Sequence, residues 1–217
     1  LAPIVGGATT STEVPPAAPN PTNGRRKRWP GRRNTPKGGP VARKEDHVTF
    51  TLYDASAPVF VSALTNLRAW LDKAATHEAA EDLVDARLAD DMRPLAAQYQ
   101  MASDTAKNAL ARLCGLEPPV MPDTESTLAE LQARCDKTIA FLESMDPAVV
   151  NASEEREIVL KFPGGTGYRF TGADYLRRFA LPNFYFHATI AYAILRAQGV
   201  PLGKPDYLQH LGAPNAI

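Results

Sequence analysis

The 217-residue chain carries no net charge, so its overall balance gives it no bias towards a polyanionic partner. A hydrophobic fraction of 44% and a charged fraction of 22% are typical of a globular domain, and this length can bury one sizeable core. The longest mostly apolar run, 179–195, contains polar residues and falls short of the roughly 20 apolar residues of a membrane span, so no membrane segment is predicted.

Residues 1–46 have the composition of a basic tail. They contain eight prolines, six glycines, nine Lys or Arg residues and three acidic residues, which leaves the remainder of the chain with an acidic excess of six. Such a segment cannot bury enough apolar surface to offset its chain entropy. We therefore predict a disordered Pro/Gly-rich tail at 1–46 and a folded domain at 47–217. A natural start at Val48 would mean that the tail is not native.

The basic run at 24–33 surrounds a tryptophan, a combination that can contact nucleic acid through phosphates and stacking. Short basic runs are usually just solvated, so nucleic acid is not the favoured partner. Cys114 and Cys135 are too few for a disulfide framework. Two free thiols favour a reducing, cytoplasmic location.

Four segments space their apolar residues by three and four, as amphipathic helices do. The predicted helices span 55–75, 92–113, 126–145 and 172–198. Their expected N-caps are Ser56, then Asp90 or Asp91, then Ser126 or Thr127, and finally Thr171. Gly115 is expected to end the second helix.

A different pattern lies between the third and fourth helices. Residues 156–162 alternate apolar and polar side chains, a PGGTG turn follows at 163–167, and aromatic residues resume at 168–170. This pattern predicts a β-hairpin. The predicted fold is therefore all-α: an up-and-down four-helix bundle with a small β-hairpin inserted before the last helix. The long connections leave the arrangement of the helices around the bundle open.

The fourth helix carries the most suggestive polar residues. Its predicted apolar stripe is Leu176, Phe179, Asn183, Phe186, Ile190, Ala193 and Ala197. This stripe predicts that Asn183 is buried and that Pro182 bends the helix near its middle. His187 follows Asn183 by one turn, on the same side of the helix. The pair could form the polar end of a small-molecule pocket, or two ligands of a weak metal site.

Other side chains could complete such a site. The candidates are Gln98, Gln100 and Asp104 on helix two, and Tyr185 and Tyr192 on helix four. In the structural alternative, Asn183 satisfies local backbone groups and His187 is a core histidine bonded to a side chain of helix two. A metal would have His187 as its only clear ligand, a poor set for zinc.

Several segments of the domain resemble a bacterial domain-of-unknown-function family. The most specific is LPNFYFH at 181–187. The others are LYDAS at 52–56, DMRPL at 91–95, AYAILR at 191–196 and GKPDYL at 203–208. The resemblance covers about residues 48–208 and has no counterpart for the tail.

That family is similar to the DinB/YfiT-like superfamily of four-helix bundles. Several members bind a divalent metal through one histidine of helix two and two histidines four apart on helix four, and some are thiol-dependent transferases or isomerases. Here only His187 matches, Asn183 occupies the position four residues earlier, and helix two has no histidine. The resemblance thus leaves three hypotheses: a bundle, possibly homodimeric, with a polar small-ligand pocket; a divalent-metal-dependent transferase with an altered metal site; and, least favoured, a nucleic-acid-associated protein.

Overall fold

The structure is a computed structural model that describes residues 49–215 and 217. The predicted tail and the start at Val48 lie outside the described residues. The bundle consists of α1 (Ala57–Ala74), α2 (Leu95–Cys114), α3 (Leu128–Glu143) and a fourth helical segment over 172–197. The predicted all-α bundle is therefore confirmed.

Short elements connect these helices. They are a 3₁₀ turn (Leu83–Asp85), α4 (Pro147–Asn151), β1 (Ile158–Lys161), β2 (Gly167–Phe170), α7 (Lys204–Tyr207) and a second 3₁₀ turn (Gln209–Leu211). The strands pair antiparallel, with Ile158 opposite Phe170, which confirms the predicted hairpin. Their turn contains Gly164 and Gly165 at φ of 85° and 80°, a conformation that glycine adopts without strain.

The helices are not arranged around the bundle in simple chain order. Helix α1 packs mainly against α3, and α2 packs mainly against the fourth helical segment. Helix α2 also contacts α3, whereas α1 and α2 touch each other less. The first two helices are consecutive in sequence but are not each other's main partners.

The start of α3 has the predicted cap. Thr127 Oγ1 accepts a hydrogen bond from the Glu130 N–H at 3.2 Å, and the Glu130 carboxylate accepts from the Thr127 N–H at 3.0 Å. This reciprocal pair is a capping box. Thr171 likewise accepts from the Asp174 N–H at 3.3 Å, and Gly115 ends α2 at φ 71°.

Ser56 occupies the N-cap position of α1 as predicted, but its hydroxyl donates to the Leu52 carbonyl at 2.7 Å and caps no N–H group of the helix. The predicted cap of α2 is wrong. Helix α2 begins only at Leu95, so neither Asp90 nor Asp91 caps it, and Pro94 occupies the N-cap position. The reason is steric, because a proline disfavours helical geometry in the residue before it.

We predict that Thr127→Ala lowers the free energy of unfolding by about 1 kcal/mol, because it removes the side-chain half of the capping box. Urea unfolding would measure the loss. Thr65→Ala is the matched control, since the exposed Thr65 hydroxyl only bonds back to the Val61 carbonyl within α1. Equal losses in the two variants would contradict the prediction.

The fourth helical segment is not the uninterrupted α-helix that the sequence predicted. Helix α5 (Gly172–Tyr175) runs into a π-helical turn (Leu176–Ala180), which continues as α6 (Leu181–Ala197). The Leu181 N–H donates to the Leu176 carbonyl, five residues back. Such a turn holds one residue more than an α-helical turn. It ends two residues before Pro182, which has no N–H to continue the α-helical pattern.

The extra residue moves the buried face of α6 by one position. The buried residues of α6 are Phe184, His187, Ala188, Ala191, Ile194 and Leu195. Asn183 is only half-buried and Phe186 is 56% exposed, so the prediction that both face the core is wrong. Phe184 is buried in place of Asn183, and His187 is buried in place of Phe186.

The core lies where these helices meet. Phe60 and Phe184 are fully buried and meet edge to face at 5.0 Å between ring centroids. Trp70 Nε1 donates to the Asp206 carbonyl at 3.1 Å, which fixes the segment containing α7 against α1. Burying a phenylalanine side chain such as that of Phe60 or Phe184 contributes about 1.5–3 kcal/mol to the free energy of unfolding. No helix within the described part of the chain is long and apolar enough to cross a membrane.

Candidate functional site

A cleft of about 390 Å³ lies between α2, the hairpin and the fourth helical segment. Its volume is within the range of small-molecule sites. Asn183 and His187 both line it, so the structure brings this predicted pair to one site. The other lining residues are Met101, Asp104, Thr105, Asn108, Arg112, Val159, Leu160, Lys161, Phe162, Tyr175 and Phe179.

His187 is held in one tautomer by helix α2. Gln98 Nε2 donates to the Arg93 carbonyl at 3.0 Å, which turns Gln98 Oε1 towards His187 Nδ1 at 2.9 Å. Because Oε1 can only accept, Nδ1 must carry the proton, and Nε2 keeps a lone pair in the neutral ring. The structural alternative, a core histidine bonded to a side chain of helix two, is thus confirmed as geometry. It leaves Nε2 available as an acceptor.

Asn183 is oriented in a similar way. The Thr105 hydroxyl donates to the Met101 carbonyl at 2.6 Å, so its oxygen accepts from Asn183 Nδ2 at 2.8 Å. This arrangement leaves Asn183 Oδ1 without a hydrogen-bond donor among the described residues. Asn183 and His187 therefore each contribute one unused acceptor to the residues that line the cleft.

Burial lowers the pKa of His187, so the imidazole is neutral at pH 7. The unfolded chain binds this proton near the ordinary pKa of about 6.5, whereas the folded chain binds it only at lower pH. The stability that His187 contributes is therefore complete above about pH 6.5 and is lost as the pH falls through the folded pKa.

We expect the free energy of unfolding to fall between pH 7.5 and pH 5.5, and to fall less in His187→Gln, which lacks the titrating group. Urea unfolding at both pH values measures the difference in slope. Ring ¹⁵N spectra at pH 7.5 should show Nδ1 protonated and Nε2 unprotonated. Equal pH slopes, or an imidazolium at pH 7.5, would contradict the assignment.

Arg112 and Tyr175 were not identified from the sequence. Arg112 Nη1 donates to the hydroxyl of the fully buried Tyr175 at 3.0 Å, and both residues line the cleft. A signal was present in helix α2, where the side chains that line the cleft recur at spacings of three and four. They are Met101, Thr105, Asn108 and Arg112.

Two candidate residues of α2 contribute less to the cleft than the sequence predicted. Gln100 does not line the cleft, and its Nε2 donates to Glu125 at 3.0 Å. Asp104 lines the cleft, but its Oδ1 is 2.7 Å from Arg134 Nη2 and 3.1 Å from Lys107 Nζ. Its charge is already compensated by these two cations.

The expectation that Tyr185 and Tyr192 line the same cavity is wrong. Tyr185 is 37% exposed and borders a separate groove with Tyr207. The Tyr192 ring packs edge to face on Trp70 at 5.5 Å. Helix geometry accounts for the difference, because at about 100° per residue Tyr185 and Tyr192 lie on other faces of α6 than Asn183 and His187.

The donor set in the cleft does not fit the three-histidine metal site of the superfamily. His187 is the single imidazole among the lining residues, Asn183 is hydrogen-bonded to Thr105, and Asp104 is ion-paired. Within residues 49–215 and 217, no three or more His, Cys, Asp or Glu side chains are grouped closely enough to hold a metal ion. Zinc typically takes several His or Cys ligands.

A larger groove of about 620 Å³ lies between α3 and the loop before it. Three of its four charged residues, Glu125, Glu130 and Arg134, already have structural partners. Arg134 donates to Glu125 at 2.8 Å and to the Pro122 carbonyl at 3.2 Å, and Glu130 completes the capping box of α3. The smaller cleft, with its unused acceptors, is therefore the better candidate for ligand recognition.

Comparisons with known proteins agree with this fold. A family model described as "Domain of unknown function (DUF1993)" matches residues 52–208. The chain is also similar to the crystal structure of a DinB family member protein from Shewanella denitrificans, with 39% sequence identity and a TM-score of 0.68. That match covers 76% of this chain and 94% of the other chain. No curated protein matches the sequence.

Proposed function

Because the chain belongs to the DUF1993 family within the DinB-like superfamily, and because its cleft departs from the three-histidine pattern, we propose that it binds a small organic molecule without a metal ligand set. The observation that carries the proposal is the pair of unused acceptors, His187 Nε2 and Asn183 Oδ1. Such a pair favours a ligand with a hydroxyl or N–H donor.

The residues that hold His187 and Asn183 support recognition rather than simple core packing. Gln98 and Thr105 each fix the orientation of one polar side chain through a hydrogen bond of 2.9 Å or less. Both are held in turn by backbone carbonyls of α2 or the segment before it. Polar groups fixed in this way lose little conformational entropy when a ligand binds.

Titration of the ¹⁵N-labelled full chain with a mixed set of neutral and charged fragments would test the proposal. We expect backbone amide shifts to concentrate at Thr105, Asn108, Asn183 and His187. Asn183→Ala should weaken the hits about tenfold, a cost of about 1.4 kcal/mol. Thr189→Ala, at an exposed residue of the same helix outside the cleft, should leave them unchanged. Shifts confined to the larger groove beside α3 would overturn the proposal.

A cytoplasmic location and a homodimer also remain proposals. Support for a reducing compartment comes from the two cysteines, which are both free, with Cys135 buried and Cys114 half-buried. Burial raises the pKa of both thiols, to about 12 for Cys135, so neither is an activated nucleophile.

A further inference from the structure

The charges around the cleft do not balance. Arg112 and Lys161 line it, and neither forms an ion pair with a carboxylate in the part of the chain that the structure describes. Asp104 is the single acidic residue among the lining side chains, and Arg134 and Lys107 already compensate it. With His187 neutral, the cleft has an uncompensated positive charge.

Arg112 is placed to use its charge on a ligand. Its Nη1 donates to Tyr175 at 3.0 Å, and its guanidinium carbon lies 5.9 Å from the centre of the Tyr175 ring. Tyr175 is fully buried, so it provides a rigid support for the arginine. The remaining N–H groups of the guanidinium match the two oxygens of a carboxylate or phosphate.

Apolar side chains also line the cleft. They include Val159, Phe162 and Phe179, and Phe162 is 41% exposed. A planar or aliphatic carbon skeleton suits such walls, because its burial contributes about 25 cal/mol per Å².

We propose that the cleft selects small organic anions, with the anionic group at Arg112 and Lys161, the carbon skeleton between Val159 and Phe179, and a donor group at His187 Nε2 and Asn183 Oδ1. This inference rests on the proposed function, because it assigns a ligand class to the same cleft. Carboxylates and phosphate monoesters share the required chemistry.

Three ring-bearing probes of similar size separate charge from shape: benzoate, benzamide and benzylammonium. Isothermal titration of the full chain should give a dissociation constant for benzoate at least tenfold lower than that for benzamide, with benzylammonium weaker still. Because the ion contacts are partly exposed, raising NaCl from 50 to 500 mM should weaken benzoate and leave benzamide unchanged. Comparing the dissociation constants of phenyl phosphate and benzoate then shows whether the cleft prefers a phosphate monoester or a carboxylate.

Substitutions test whether Arg112 and Lys161 bind the anionic group. Arg112→Gln and Lys161→Gln should each weaken benzoate several-fold and leave benzamide unaffected. Arg196→Gln is the matched control, because it removes a positive charge from an exposed residue that does not line the cleft and forms no ion pair with the described residues. An equal loss of benzoate binding in the control would overturn the assignment.

The two proposals fail in different ways. If benzamide and benzylammonium bind in the cleft as tightly as benzoate, the selection of anions is wrong and the small-molecule site stands. If no probe or fragment shifts the amides of Asn108, Asn183 or His187, the proposed function itself is wrong.

Discussion

Replacing Arg134 with methionine is expected to lower the free energy of unfolding by roughly 2–4 kcal/mol, below the full cost of breaking a buried ion pair because its partners are partly exposed. The Arg134 side chain is only 1% exposed. Its guanidinium lies 2.7 Å from Asp104, 2.9 Å from Asp123 and 2.8 Å from Glu125. Methionine would leave these three carboxylates near one another without the cation between them.

The loss would also affect the loop before α3. Arg134 donates to the Pro122 carbonyl at 3.2 Å and pairs with Asp123 and Glu125, so one side chain fixes this loop to the helix. Thermal unfolding should show a decrease in Tm of roughly 5–15 °C for a domain of this size. Amide exchange within 119–127 should become faster in the variant.

Arg68→Met is the matched control. Arg68 also forms two ion pairs, at 3.4 Å to Asp72 and 2.7 Å to Asp136, but its side chain is 39% exposed. Exposed pairs of this kind contribute less than about 1 kcal/mol. If both variants lost the same stability, burial of the Arg134 cluster would not be the cause.

The cluster also predicts a pH dependence. Burial alone would raise the pKa of Glu125, but hydrogen bonds from Arg134 and Gln100 outweigh burial and lower it. The stability contributed by Glu125 is therefore complete above its unfolded pKa of about 4.3 and is lost as the pH falls through the folded value. In Arg134→Met, Glu125 loses the hydrogen bond and the neighbouring charge that lower its pKa. The stability difference between the two proteins should thus narrow as the pH falls towards 3.5.

The sequence was sufficient to predict those features that are formed by residues close together in the chain. The cap of α3 depends on Thr127 and Glu130, which are three residues apart, and the structure has it as predicted. The hairpin depends on a short alternating run and on glycines in its turn. The Arg134 cluster was missed because its partners lie up to 30 residues away and only the packing of α2, α3 and their loop brings them together.

The fourth helical segment shows a second kind of limit. The predicted stripe through Phe179, Asn183 and Phe186 has regular helical spacing, but so does the observed stripe one residue later, through Ala180, Phe184 and His187. Periodicity alone cannot choose between them, because a single π-helical turn exchanges one for the other. The site pair was nevertheless found, because His187 and Asn183 are four apart and both lie downstream of the turn.

Phe184→Ala is expected to lower the free energy of unfolding by about 3–5 kcal/mol, the usual loss when a phenylalanine in a packed core is truncated. Phe184 is fully buried and contacts Phe60 of α1. Phe186→Ala removes the same atoms two residues away, from a side chain that is 56% exposed, and should cost less than about 1 kcal/mol. The pair is matched in chemistry and differs in the face of α6 that each ring occupies.

Urea unfolding of the two variants therefore tests the π-helical turn directly. An uninterrupted α-helix from 172 to 198 would bury Phe186 and reverse the order of the two losses. With the turn, Phe184 carries the larger loss, and the m-values of both variants remain close to that of the parent because the folded state keeps its buried surface. The same rotation turns His187 towards Gln98, so the order of these losses also tests the geometry on which the candidate site depends.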